Sequence, residues 1–296
     1  MTKKLFYAAV AALLPLAVWA HLALERAAGP ADIPREPERI VSLAPSITET
    51  LYALGLGGSV AGVTRFCAYP PEVLEKPKVA GFSDINYEAV LRLRPDLVVL
   101  PSDKTGARLD IENLGLPVMT IDSRTLEGFL KDTLALGEKT GHEIDAARVI
   151  AELRQSLEEA RGRAEGETPP RVLFSVMHSY EGIGQLTEIY AIGRDGFYDE
   201  LIAAAGGQNV YEGELPFPRL SREAIIFLNP DVIIDVIPTK ETDLEAVRRD
   251  WQSLASVEAV KNGRLHLLTD EGDTVPGPRS YKTLDKLSHA FHPGKP

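Results

Sequence analysis

A long amphipathic stretch constrains this chain more than any other feature of the sequence. Between His142 and about Arg163, apolar residues recur at steps of three and four, namely Ile144, Ala147, Ile150, Leu153, Leu157 and Ala160. This spacing predicts an α-helix with one apolar face, and glycines before and after the stretch mark its ends. At about 1.5 Å per residue, such a helix spans roughly 33 Å, the width of a small domain.

Two sequence patterns occur once on each side of this helix. RIVSLAPS, which starts at Arg39, is matched by RVLFSVMHS, which starts at Arg171. YEAVLRLRPDLVVL, from Tyr87, is matched by REAIIFLNPDVIID, from Arg222, and each has an acid seven residues before a Pro-Asp pair. The second pattern predicts a short helix, a turn and a buried strand. Two α/β halves joined by one helix predict a bilobed protein, with chance similarity of generic strand–helix units as the alternative.

Short apolar runs alternate with amphipathic runs in both halves, which predicts a mostly parallel sheet in each. In such sheets, ligands bind beyond the carboxyl ends of the strands. Ser46 follows the first strand and, with Glu49, matches a Ser-x-x-Glu capping box for the next helix. The other polar and aromatic candidates near strand ends are Phe66, Tyr69, Phe82, His178, Tyr180, Phe217, Arg219, Glu271 and Arg279.

Composition limits the class of protein. A chain of 296 residues can bury two cores of ordinary domain size. The net charge of −11, without any Lys/Arg-rich run, argues against nucleic acid as a partner. The one cysteine, Cys67, excludes an intrachain disulfide and a thiolate zinc cluster. We expect Cys67 to be a small packing residue, with contact to a ligand's metal as the alternative.

The first twenty residues have the pattern of an export signal. Two lysines precede an apolar run from Leu5 to Val18, and Ala20 ends a small-residue cleavage site. We therefore expect a cleaved signal peptide and an exported protein, with an uncleaved membrane anchor as the alternative. No cysteine follows the run, so no lipid anchor is expected. Because the segment carries two lysines and no acids, its removal changes the net charge from −11 to −13.

Taken in order, these patterns resemble a known family. RIVSLAPSITETLYALG, YPPE, YEAVLRLRPDLVVL, LSREAIIFLNPDVII and the closing GPR are similar to the periplasmic substrate-binding proteins of ABC importers for cobalamin and iron–siderophores. The resemblance implies an α/β fold of the helical-backbone metal receptor type, in which two Rossmann-like lobes are joined by a single long backbone helix. The expected segments are a signal peptide (1–20), a tether (21–37), an N-terminal α/β lobe (38–138), a connecting helix (139–167) and a C-terminal α/β lobe (168–292).

The resemblance also implies a ligand and a partner. A metal chelate (corrinoid, ferric siderophore or haem) would bind between the lobes, near Phe66, Phe82 and Phe217. Two of these three positions are tryptophan in the family's cobalamin-binding member, so the chelate is left open. Glu88 and Glu223, one per lobe, match the acids that dock on arginines of the ABC transporter permease. The alternative role for both is helix capping, because acids suit the first turn of a helix.

Neither a cofactor nor catalysis is expected. The sequence patterns of α/β-hydrolases, phosphate-binding loops and metalloproteases are missing. One alternative function is an exported α/β enzyme that uses His178 and Tyr180 in the interlobe cleft. A second is a receptor for a bare metal ion, although the six histidines are spread over the chain rather than clustered. We expect His178 to be a plain loop or cleft residue rather than a metal ligand.

Overall fold

The computed structural model describes residues 32–81, 84–178, 186–237 and 242–294. The strands are β1 (Ile40–Ser42), β2 (Val60–Thr64), β3 (Lys78–Ala80), β4 (Leu97–Pro101), β5 (Val118–Ile121), β6 (Arg171–His178), β7 (Glu188–Ala191), β8 (Gln208–Asn209), β9 (Arg219–Ser221), β10 (Val232–Val236) and β11 (Leu265–Leu268). The helices are α1 (Pro45–Ala53), α2 (Tyr87–Arg92), α3 (Thr105–Asn113), α4 (Leu126–Thr140), α5 (Glu143–Ala164), α6 (Phe197–Ala204), α7 (Arg222–Leu228), α8 (Leu244–Gln252), α9 (Glu258–Lys261) and α10 (Ser280–Phe291). Short 3₁₀ helices occur at Leu56–Ser59 and Pro71–Glu75.

The N-terminal lobe is built on a parallel sheet with the strand order β3-β2-β1-β4-β5. β1 lies in the middle of this sheet, and all three of its residues are buried. Its neighbour β4 is buried from Leu97 to Leu100, as expected for a strand that helices cover on both faces. The parallel sheet predicted for this half is confirmed.

The C-terminal lobe has a mixed sheet with the order β11-β10-β6-β7-β9, and β8 also pairs with β6. β11, β10, β6 and β8 are parallel, whereas β7 is antiparallel to both β6 and β9. The prediction of a mostly parallel sheet is therefore wrong at the β7 and β9 edge. A parallel return to β6 needs a crossover of about a dozen residues or more, and the segment between β6 and β7 is shorter than that.

The sequence repeat reappears as the same local structure in both lobes. The carboxylate of Asp96 accepts a hydrogen bond from the backbone N–H of Arg39 (2.9 Å), and that of Asp231 accepts one from the N–H of Arg171 (2.8 Å). In each case the acid ties the start of one strand to the start of its parallel neighbour. The residue before each proline of the Pro-Asp pairs has a positive φ, 46° in the first lobe and 43° in the second. The two halves are thus related in structure as well as in sequence.

The long helix α5 runs between the lobes, as predicted, but its buried face differs from the predicted one. The buried residues are Ala146, Val149, Ile150, Leu153, Leu157 and Ala160. Ile144 is 85% exposed and Ala147 is also exposed, so their assignment to the apolar face is wrong. The reason is the close approach of α4, because a Cβ atom placed on Gly137 would lie 2.5 Å from the Cβ of Ala146. That approach turns the small Ala146 towards α4 and leaves Ile144 outside.

Side chains of α5 anchor it to both lobes. Arg148 donates a hydrogen bond to the carbonyl oxygen of Ala53 at the end of α1 (3.0 Å). Arg163, near the other end of α5, contacts Ser288 (3.0 Å) and Asp285 (3.1 Å) of α10. One continuous apolar core joins β1, α5, β6 and β10, and two smaller clusters lie within the individual lobes. Among the described helices, none is long and apolar enough to cross a membrane.

Candidate ligand cleft

A buried ion pair joins the two lobes at the carboxyl edge of their sheets. Glu49 belongs to α1 of the N-terminal lobe, and Arg279 immediately precedes α10 of the C-terminal lobe. Arg279 donates two hydrogen bonds to the carboxylate, from Nε to Oε2 (2.7 Å) and from Nη2 to Oε1 (2.5 Å). The exposed fractions of the two side chains are 4% for Glu49 and 18% for Arg279. This two-point contact has the planar geometry that makes arginine–carboxylate pairs strong.

The predicted capping box at Ser46 and Glu49 is wrong. Helix α1 begins at Pro45, and its N-cap, Ala44, makes no side-chain capping bond. Proline at this position has no N–H that needs a partner, so the helix can begin without a capping side chain. Glu49 is therefore directed at the other lobe rather than back at its own helix end.

The Glu49–Arg279 pair, which forms the floor of the proposed cleft, is shielded from water. Burial raises the pKa of Glu49 above its usual value, and Arg279 opposes that rise only in part. Burial also raises the pKa of Tyr198 well above 10, with Asp273 and Glu49 adding to the effect. The hydroxyl of Tyr198 is buried and has no hydrogen-bond partner among the described residues. In such surroundings, an unpaired charge on Glu49 would be unfavourable, so Arg279 has to stay in place.

Four of the predicted cleft residues are brought together around this ion pair. The ring of Tyr69 stacks on the guanidinium group of Arg279, with 3.8 Å between the guanidinium carbon and the ring centre. Ser46 is buried in α1, and the backbone of Gly277 in the Arg279 loop packs against it. Glu271 lies on the same loop and lines a cavity next to Arg279. Tyr69 remains 41% exposed, so part of its side chain is accessible to a ligand.

That cavity measures about 260 Å³ and is lined by Asp270, Glu271, Gly272, Asp273, Arg279, Lys282 and Thr283. Lys286 lies at its edge and contacts Asp270 (2.6 Å) and the buried Asp273 (2.8 Å). The hydrogen bond from Lys286 lowers the pKa of Asp270. The cavity is too small for a large ligand, since pockets for such ligands are commonly about 300–1,000 Å³. It forms a polar recess beside the Glu49–Arg279 pair.

The remaining predicted residues lie outside this group or outside the described part of the chain. Phe66 is 54% exposed on the Tyr69 loop, and Phe217 is 60% exposed on a loop of the C-terminal lobe. Arg219 forms an ion pair with Glu188 on the neighbouring strand. Phe82 and Tyr180 lie outside the described residues. Of His178, only the backbone is described, as the last residue of β6.

A second contact between the lobes is formed by α4 and α6. The rings of Phe129 and Phe197 meet edge to face, with 6.1 Å between their centres. The backbone N–H of Phe197 donates to the carbonyl oxygen of Arg124 (2.7 Å), and Glu200 accepts from the N–H of Leu126 (3.1 Å). These bonds and the Glu49–Arg279 pair hold the lobes together in addition to α5.

Glu88 and Glu223 occupy the same position in their respective lobes. Each is the second residue of a short helix, α2 or α7, and each is exposed. Both helices precede a parallel strand, so their N-termini lie at the carboxyl edge of the sheet, where the cleft is. Asn86 caps α2 and Ser221 caps α7. Both acids also lie in the first turn of their helix, where a negative charge is favourable, so this placement suits helix capping as well as docking.

Cys67 is buried, and its sulfur lies 3.2 Å from the hydroxyl of Thr48 and 3.1 Å from that of Thr64. It packs inside the N-terminal lobe, as expected for a small packing residue. Within residues 32–81, 84–178, 186–237 and 242–294, no group of three or more His, Cys, Asp or Glu side chains is placed to hold a metal ion.

Sequence reasoning missed Glu49, Asp273 and Lys286 as residues of the cleft floor. Glu49 matched a helix-capping pattern, so there was no reason in the sequence to look for its partner Arg279 in the other lobe. The closing GPR sequence was the available signal for Arg279, but nothing local indicates which acid it meets. The pairing depends on how the two lobes are placed, which is a property of the folded chain.

Comparison with known proteins gives a consistent result. Residues 40–271 match the family described as periplasmic binding protein. The chain is 30% identical over 269 residues to an uncharacterised ABC transporter substrate-binding lipoprotein, YvrC, of Bacillus subtilis, covering 88% of this chain and 82% of that protein. It is 28% identical over 261 residues to a vitamin B12-binding protein of Vibrio cholerae, covering 86% of this chain and 89% of that protein.

Solved structures share the fold. The periplasmic vitamin B12-binding protein BtuF of Vibrio cholerae is 26% identical, with a TM-score of 0.73 over 86% of this chain and 96% of that chain. The periplasmic haem-binding protein RhuT of Roseiflexus is 29% identical, with a TM-score of 0.71 over 86% of this chain and 98% of that chain. The two-lobed α/β fold predicted from the sequence is confirmed.

Proposed function

Because this chain belongs to the periplasmic binding protein family, we propose that it is the substrate-binding protein of an ABC importer and that it carries a metal chelate in its interlobe cleft. The observation that carries the proposal is the family match over residues 40–271, which include both sheets and the long helix α5. The relatives named for a ligand bind vitamin B12 or haem. Both ligands are macrocyclic metal chelates, and the sequence resemblance adds ferric siderophores, so the proposed substrate class is a corrinoid, haem or ferric siderophore.

The geometry of the cleft supports this class of ligand. Tyr69 is partly exposed while it stacks on Arg279, and Phe66 and Phe217 are exposed aromatic side chains on loops of opposite lobes. Flat rings bind well against such surfaces, while the charged floor around Arg279 suits polar groups at the edge of a chelate. We propose Ser46, Phe66, Tyr69, Phe82, His178, Tyr180, Phe217, Arg219, Glu271 and Arg279 as the residues that line the cleft.

The absorbance spectrum and native mass of the protein isolated from its own cell test the proposal. Absorbance from a corrinoid, haem or ferric chelate, with a matching added mass that is lost on denaturation, is the expected result. Titration of the apoprotein with haem, cyanocobalamin and a ferric siderophore then ranks the chelates. Binding of none of the three, together with a colourless native protein, would overturn the assignment of ligand class.

The relatives and the family itself are binding proteins rather than enzymes. The alternative of an exported enzyme depended on His178 and Tyr180, and no described catalytic arrangement adds support to it. We propose that the protein has no catalytic activity. Turnover of a bound chelate by the purified protein, detected as a product mass, would restore the enzyme alternative.

We further propose that Glu88 and Glu223 dock the protein on the importer's permease, one acid per lobe. Their support is matched placement, since both are exposed and lie at the cleft edge of equivalent helices. Charged pairs at the rim of an interface guide association and fix orientation, so basic side chains on the permease are the expected partners.

Variants of the two acids test this docking role. We expect Glu88→Ala and Glu223→Ala each to weaken binding to the nanodisc-embedded importer about tenfold, with the double variant weaker still and ligand affinity unchanged. Glu245→Ala is the matched control, because Glu245 is also the second residue of a capped helix and its side chain is 75% exposed. Normal docking by the double variant, or equal loss with Glu245→Ala, would contradict the role.

The relatives are periplasmic proteins or a substrate-binding lipoprotein. We propose that residues 1–20 direct export and are then removed, so the mature protein should begin at His21. N-terminal sequencing of the protein recovered from the periplasm checks this. Recovery of the full-length chain only in the membrane fraction would contradict it.

A further inference from the structure

Helix α7 exposes an aromatic side chain to an unusual degree. Phe227 is 87% exposed and its neighbour Ile226 is 41% exposed, whereas Ile225 is completely buried in the core of the C-terminal lobe. The seven-residue helix therefore has apolar residues on its outer side as well as its inner side. Single exposed apolar residues are common, but an adjacent aromatic and aliphatic pair on one helix forms a small patch.

This patch adjoins the proposed docking acid. Ile226 and Phe227 follow Glu223 by three and four positions, and residues at these spacings are neighbours on a helix surface, about 5–6 Å apart at their Cβ atoms. The carboxylate of Glu223 accepts hydrogen bonds from its own N–H and from Ser221, which lower its pKa and keep it charged. A fixed negative charge and an exposed aromatic ring thus lie on one face.

The N-terminal lobe has half of the same arrangement. Leu91, three positions after Glu88, is 41% exposed, the same fraction as Ile226. At the fourth position stands Arg92, which forms an ion pair with Glu88 (3.5 Å), where the other lobe has Phe227. Both lobes therefore present an acid with an aliphatic neighbour, and the C-terminal lobe alone adds an aromatic ring at that position.

We propose that Ile226 and Phe227 form an apolar docking surface that inserts beside Glu223 into a hollow of the importer's permease. This inference deepens the proposed function and rests on it. The partner's chemistry follows from the surface: a basic side chain for Glu223, next to an apolar recess wide enough for a phenyl ring. Burial of the aromatic ring holds the complex together, whereas the charge guides its formation.

Substitutions on this helix test the proposal with the full chain and the nanodisc-embedded importer. We expect Phe227→Ala to weaken docking about tenfold, mainly through faster dissociation, and Phe227→Leu to recover part of the loss. Haem or cyanocobalamin affinity and the melting temperature should be unchanged. Ile144→Ala is the matched control, because Ile144 is 85% exposed on α5 and lies outside the proposed surface. Analytical ultracentrifugation of the protein without the importer shows whether it forms a dimer.

Each outcome decides the matter. Docking of Phe227→Ala within twofold of the unmodified protein, while Glu223→Ala is weak, would overturn this inference and leave the proposed function intact. A dimer of the protein alone that Phe227→Ala dissociates would assign the patch to a second copy and overturn it as well. Failure of the unmodified protein to bind the importer would overturn the proposed function and this inference together.

Discussion

Among single residues, the Glu49–Arg279 pair has the largest consequence for this molecule. It connects positions far apart in the chain, and it is buried where the lobes meet. Such a pair is strong only while it is complete, because desolvation of the charges offsets much of their attraction. Its second effect is on the cleft, since Arg279 holds the ring of Tyr69 in place. The pair therefore positions a proposed ligand-binding residue as well as joining the lobes.

This dependence is testable with a double-mutant cycle. We expect Arg279→Met to reduce the free energy of unfolding by about 3 kcal/mol, because it leaves the Glu49 carboxylate buried without its partner. The double variant Glu49→Gln, Arg279→Met should be more stable than Arg279→Met alone, since no charge then remains to be desolvated. Urea unfolding of the four proteins measures the coupling. Additive effects of the two substitutions would show that the pair contributes no interaction of its own.

His266 gives the protein a pH-dependent element. It is half-buried in β11, and burial, with smaller effects of Arg264 and Arg248, lowers its pKa below 6.5. The unfolded chain therefore binds a proton at this position more readily than the folded chain, so acidification below pH 6.5 should favour unfolding. We expect His266→Gln to reduce the loss of stability between pH 7 and pH 5, measured by urea unfolding. Parallel pH profiles of the two proteins would contradict this assignment.

Among the elements, α5 determines how the lobes relate. Its buried face is part of the apolar core that continues into both sheets, and its arginines contact both α1 and α10. This arrangement differs from a linker that merely connects two domains. The helix is part of the interior of each lobe, so damage to it should affect both lobes equally.

Leu153 lies near the middle of α5 and is 1% exposed. We expect Leu153→Ala to lower the free energy of unfolding by about 3 kcal/mol, from lost burial and the cavity left behind. Ile144→Ala on the same helix should change it by less than about 0.5 kcal/mol. Probes in each lobe, for example Trp251 fluorescence and a label on α2, should show the same shifted midpoint. A shift seen by only one probe would mean that the lobes unfold separately.

The sequence predicted elements well and long-range pairings poorly. The Pro-Asp repeats and the period of α5 are local patterns, and the structure contains both. The antiparallel β7 and β9 were not predicted, because each strand has only three or four residues and no crossover helix distinguishes them. The prediction that Ile144 lies on the buried face of α5 was wrong. The close approach of Gly137 to Ala146 determines which face is buried, and the periodicity of apolar residues does not reveal that approach.

For the whole molecule, the continuous core and the contacts between lobes predict a stiff receptor. The helix α5, the Phe129–Phe197 contact and the Glu49–Arg279 pair all join the lobes. Binding proteins that close through flexible hinge strands change shape strongly with ligand, whereas a packed helix permits only small adjustments. We expect small-angle scattering to give nearly the same radius of gyration with and without bound chelate. A large decrease on binding would contradict the role of α5.

If the shape of the protein does not change when it binds ligand, loaded and empty molecules should compete for the same transporter. If loaded and empty molecules present the same two acids and the same aromatic ring, the permease cannot reject an empty one by shape. Unloaded copies then occupy transporters without delivering cargo, and uptake slows when receptor outnumbers chelate. Transport into proteoliposomes, measured at fixed loaded receptor with increasing amounts of empty receptor, should decline in proportion to the empty fraction, and Phe227→Ala copies should compete less well. A transport rate that does not change when empty protein is added would mean that the permease recognises the bound chelate itself at the rim of the cleft.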